Sequence, residues 1–195
     1  MAEYGRRGVV GMSLAGGAAL VLGGCASAQD GRSRSSATPT SDGRFASFTE
    51  YVPDKLEIRT DLGRLDRRMP GVTISSAHWV AQYWQEEREL LPAPDRPIWI
   101  HGVLALEPAS TRALAKASSG TADPLPGIYP DLRQYVPEGK VFTTVLKEKA
   151  DTILDVKHMM QDDPSRSESS SFDTEQVAIC ADANLLILMA NEYIF

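Results

Sequence analysis

The run from Gly8 to Leu22, fifteen residues without a charge, constrains this chain more than any other stretch. A membrane-spanning helix needs about 20 predominantly apolar residues. This run is shorter, and Gly8, Gly11, Gly16 and Gly17 each weaken a helix by about 1 kcal/mol relative to alanine. Arg6 and Arg7 precede it against a single acid, Glu3, and the small residues Gly23 and Gly24 follow it. A charged start, a short apolar run and a small-residue exit form the pattern of an export signal, so residues 1–24 are expected to be a signal peptide. The folded domain must then be built from the chain beyond residue 24.

The residues Leu22-Gly23-Gly24-Cys25 resemble the lipobox of bacterial lipoproteins, in which an apolar residue and two small ones precede the modified cysteine. Slim side chains let a membrane peptidase approach the scissile bond, and the thiol takes the lipid. The resemblance implies that Cys25 is the lipid attachment site and the first residue of the mature chain. Two acyl chains suffice for stable anchoring, where one does not. The protein is then expected at the cell membrane, lipid-anchored, on the extracytoplasmic side. The alternatives are an ordinary secretory signal cleaved near Ala28, or an unmodified cysteine. Arg6-Arg7 followed by Gly8-Val9-Val10 also resembles the twin-arginine export signal. Gly5 and Gly11 depart from the Ser or Thr and the Lys usual in that pattern, which leaves the general secretory route open.

Residues 26–44 hold no apolar side chain larger than alanine apart from one proline, and Ser, Thr, Gly, Asp and Arg dominate. Such a segment buries too little surface to offset its ordering entropy. As a coil of this length it spans roughly 24 Å. The expected organisation is a signal peptide (1–24), a lipid-bearing Cys25 with a Ser/Gly-rich tether (25–44), and one globular domain (45–195).

Within that domain, Leu56, Ile58, Leu62, Leu65 and Met69 suggest a helix over residues 54–69, with Asp54 as its cap and Pro70-Gly71 as its stop. The β-branched and aromatic residues of 72–84 and 97–106 predict two long strands forming a hairpin. Pro108 opens a short helix over 108–118, and a turn-rich connector fills 119–131. One helical turn is expected at 131–136 and a helix over 142–160, with a polar loop at 161–173. The last residues read as a second hairpin turning at Asp182-Ala183-Asn184. These elements predict an α+β fold: a mainly antiparallel sheet of about four strands in two hairpins, with three or so helices on one face. The stretch "PAPDRPIWIHGVLAL" with the helix after it resembles small actinobacterial lipoproteins. No functional residue is carried over from that likeness.

Candidate chemistry is sparse. His78 and His101 sit on strands expected to pair, and an odd register would bring them to one face with His101 opposite Val80. A zinc site wants at least three protein ligands, and no third is evident, so two sheet histidines beside Trp79 and Trp99 are expected. Cys180 lies among apolar residues and reads as a buried, inert thiol; a Cys180–His101 nucleophile pair finds no support in spacing. Asp151-Asp155 and Asp162-Asp163 read as solvated acidic faces. The aromatic set Trp79, Tyr83, Trp84 and Trp99 reads as sheet core. No catalytic, cofactor-binding or metal residue and no cofactor is assigned.

The formal net charge is −6, and −7 once Glu3, Arg6 and Arg7 leave with the signal. Phosphate neutralisation needs a basic face, so nucleic acid is not an expected partner. The expected function is a membrane-anchored extracytoplasmic module that binds an envelope protein or a small-molecule ligand. The alternative is a surface-attached envelope hydrolase with its site near His78 and His101.

Overall fold

The stretch Ile74–Tyr83, with β-branched and aromatic residues about Trp79 and Val80, forms the strand β1, and the near-continuous apolar run Ile98–Leu106 forms β2. They pair antiparallel as a hairpin. The computed structural model describes residues 42–87, 96–156 and 170–194. The stretch expected to be a signal peptide, with Arg6, Arg7, Leu22, Gly23, Gly24 and Cys25, and most of the expected tether lie outside the described residues. So do His158 and Asp162-Asp163. Among the described residues no helix is long and apolar enough to cross a membrane.

The other elements come in chain order. Helix α1 (Gly63–Arg68) precedes β1, and α2 (Pro108–Ala117) follows β2. Then come β3 (Ser118–Thr121), a 3-10 helix (Pro130–Tyr135), β4 (Thr143–Val145), α3 (Lys147–Leu154), β5 (Ser170–Cys180) and β6 (Leu185–Ile194). The sheet has the order β1-β2-β6-β5-β4-β3, and every neighbouring pair is antiparallel. The α+β class and the two hairpins stand. The sheet has six strands rather than about four, because Ser118–Thr121 and Thr143–Val145 add a short second flank to β5.

Both faces of the sheet are covered. On the first, Trp79, Ile100, Leu104, Val177 and Leu188 pack with Leu65 and Met69 of the α1 region, Leu114 of α2 and Leu154 of α3. On the second, Val80, Trp99, Val103, Cys180 and Ile187 pack with Leu132 of the 3-10 helix and with Phe45, Leu125, Ile128 and Phe142 from irregular segments. Two-sided burial explains why β2 reads as an unbroken apolar run instead of an alternating one.

Tertiary pairing shortens the helix expected over 54–69. Arg59 exchanges backbone hydrogen bonds with Trp79 at 2.8 and 3.0 Å, which pins the chain at Arg59 to the edge of β1 and keeps it out of a helix there. Leu56 and Ile58 pack on the second face while Leu65 and Met69 pack on the first. The apparent stripe is thus shared between two cores, and only Gly63–Arg68 is helical. The expected helix over 142–160 likewise begins as a strand. Thr143, Thr144 and Val145 pair with β5, and α3 starts at Lys147 and stops at Asp155, which takes a left-handed conformation.

Candidate functional site

The register of the first hairpin sets His101 opposite Val80 and His78 opposite Val103. Both histidines therefore share the second face, yet their rings have different partners. His78 stacks on Tyr135 with ring centroids 3.7 Å apart. His101 is 1% exposed and boxed by Phe48, Trp99 and Tyr129. Its Nδ1 accepts the Tyr129 backbone N–H at 3.1 Å, which leaves the proton of a neutral ring on Nε2. Glu50 Oε1 lies 3.9 Å from Nε2, beyond hydrogen-bond reach. Burial drives the His101 pKa down to about 3 and raises that of Glu50, so no strong ion pair offsets the desolvation. A sealed imidazole whose one acceptor is occupied does not serve as a general base.

The remaining sequence candidates separate as well. Cys180 is buried and free. It pairs with Leu185 whereas His101 pairs with Met189 on the same strand. Four residues of strand put them about 13 Å apart along β6, too far for a nucleophile and base. Among the described residues no three His, Cys, Asp or Glu side chains converge as metal ligands. Trp79 and Trp99 are core, as expected. Tyr83 and Trp84, expected in the core with them, are exposed at and just past the end of β1.

Asp151 is not part of a solvated face. It is buried, and its Oδ1 accepts the Thr174 backbone N–H at 3.2 Å and the Thr174 hydroxyl at 2.6 Å. Lys147 Nζ donates to Asp151 Oδ2 at 3.1 Å and to the Thr174 carbonyl at 2.8 Å. This bracket ties α3 to the place where β5 bulges, between Thr174 and Gln176. A bulge re-aims the side chains it carries, and here two consecutive residues, Glu175 and Gln176, point outward in a strand otherwise buried beyond them.

Those two residues line an open groove of about 250 Å³ where the 122–126 segment meets β4 and β5. Ala122, Pro124 and Pro126 form its wall, and Leu146, half-exposed, sits at its rim. The wall is fixed from behind. Phe45 bridges Leu125 in parallel, with Ala46 N–H donating to the Leu125 carbonyl and Leu125 N–H to the Arg44 carbonyl, both at 2.8 Å. Arg44 and Arg133 each place a guanidinium about 5 Å from the Phe45 ring centroid (5.2 and 5.0 Å). Residues 44–46 are therefore stitched to the groove wall. Sequence reading missed this groove. Its only advance signals were the prolines of "ADPLPG" and the break in alternation at Thr174-Glu175-Gln176.

No protein family matches the chain, and neither a curated protein nor a solved structure shows significant similarity to it.

Proposed function

We propose that this protein is a lipid-anchored extracytoplasmic binding module that holds a small ligand in the groove between residues 122–126 and strands β4 and β5. The groove is the observation that carries the reading. It is open and mixed in character, with an apolar wall and a few polar groups at its rim, as small ligand sites are. It is braced on one side by the Phe45–Leu125 bridge and on the other by the buried Asp151–Thr174–Lys147 bracket. Its volume suits a fragment-sized molecule. Anchoring rests on Leu22-Gly23-Gly24-Cys25, and the segment after Cys25 gives the domain the reach to stand clear of the bilayer. A hydrolase centred on His101 would need that ring reachable by substrate and its acceptor nitrogen open; the box of Phe48, Trp99 and Tyr129 disfavours both.

The test is a nitrogen-15 NMR titration of the full chain, in neutral detergent, with a mixture of small aromatic fragments. The expected shifts fall on the backbone amides of Ala122, Leu146 and Gln176. Shifts confined to the Tyr129 and His101 amides, or none at all, would contradict the groove as the ligand site.

A further inference from the structure

The polar groups of the groove are not alike in what they have left to bind. Lys147, the one cation among the described residues of its lining, is already committed. Its ammonium reaches the Asp151 carboxylate, the Thr174 carbonyl and, at 3.4 Å, the Asp173 carboxylate. Glu175 differs: among the described residues its carboxylate has neither a hydrogen-bond nor an ion-pair partner. Gln176, beside it on the bulge, has its amide equally free. The charge the groove offers a visitor is therefore negative, next to an apolar wall.

Two further features point the same way. The bulge that presents Glu175 is held in place by a buried network rather than left to solvent, so the carboxylate is carried on a rigid base. Glu50, whose side chain is only 13% exposed, is not part of the groove lining but lies within electrostatic reach of Glu175. After burial, the charge of Glu175 is among the influences that raise its pKa. A cation seated at Glu175 relieves that repulsion as well as pairing with the free carboxylate.

We propose that the groove binds a small organic cation, with its apolar body against Pro124 and Pro126 and its protonated amine directed at Glu175. The proposal rests on the groove being the ligand site, and it adds the chemical class of the ligand. Gln176 then supplies a carbonyl acceptor for a second N–H of the same amine.

Three probes of one shape separate the possibilities: phenethylammonium, the neutral 2-phenylethanol and the anionic 3-phenylpropionate. Each is titrated into the full chain in neutral detergent, and affinity is read from the Ala122 and Gln176 amide shifts. The cation should bind about fivefold or more tightly than the alcohol, the size of one exposed charge pair in water, and the anion should bind least. The preference should shrink in 1 M salt, where screening sets in within about 3 Å. In Glu175→Gln, an exposed and conservative change, the cation should fall to the level of the alcohol while the alcohol is unchanged. Equal binding of all three probes to the wild type overturns the cation proposal and leaves the groove standing as a site. Failure of all three to shift the groove amides overturns both.

Discussion

At the scale of single residues, burial decides the behaviour of the polar groups. The folded protein keeps His101 neutral down to about pH 3, whereas the unfolded chain takes up that proton near the ordinary value of 6.5. Between those values the unfolded state binds more protons, so stability falls as the pH drops. His101 alone should cost the fold about 2 kcal/mol between pH 7 and pH 5, a window that ends before most carboxylates titrate. Denaturant melts of the wild type and of His101→Gln, which keeps an acceptor for the Tyr129 N–H, should differ in slope against pH by that amount. Identical slopes would mean that the imidazole titrates normally. Glu192 is the complementary case. It is 2% exposed on β6, where it pairs with Arg64 at 2.8 Å and with Arg68. Replacing it by glutamine leaves two guanidinium groups facing a neutral amide, and breaking such a buried pairing costs about 3–5 kcal/mol. A Glu192→Gln protein with an unshifted midpoint of unfolding would show that the arginines find water instead.

Secondary-structure elements show what the sequence carries and what it leaves to the fold. Strands β1, β2 and β6 were legible because their β-branched and aromatic runs are long and end in turn residues. The hairpin turn before β6 is marked by Asn184, which sits at positive φ as asparagine tolerates. The stretch 54–62 was misleading because periodicity does not say which of two cores a leucine enters. Ile58 and Leu65 obey one helical spacing but lie on opposite faces of the sheet. Strand β4 was hidden because three residues are too few to show a period, and only pairing with β5 makes them a strand. The groove was the least legible feature, since it joins segments some fifty residues apart in the chain. Close approaches between elements give their own tests. A Cβ on Gly71 would lie 2.1 Å from the Ile153 carbonyl oxygen, at the point where the α1–β1 turn meets the end of α3. A Cβ on Gly127 would lie 2.5 Å from the Ser47 carbonyl oxygen, on the strap behind the groove wall. Each alanine substitution should cost about 1–3 kcal/mol in an unfolding titration, as overpacking does. Gly63→Ala, which meets nothing within 4 Å at the start of α1, should be neutral or stabilising. Equal stability of all three variants would refute the contacts.

On the scale of the whole molecule, the parts divide the work. The sheet, buried on both faces, is a rigid frame. The α-helices cover one side of it, the 3-10 helix and irregular segments cover the other, and the groove opens where the 122–126 segment meets strands β4 and β5. The chain enters that side at Phe45, so the region that follows Cys25 in sequence leads directly to the groove wall. An acidic domain has little attraction to anionic headgroups, so membrane attachment would depend on the proposed lipid at Cys25. The most direct measurement is metabolic labelling with a radioactive fatty acid in a bacterial host, comparing the wild type with Cys25→Ser. The wild type should carry the label and sediment with membranes, while Cys25→Ser should carry none. Undiminished labelling of Cys25→Ser, or a wild type that takes up no label, would contradict the account.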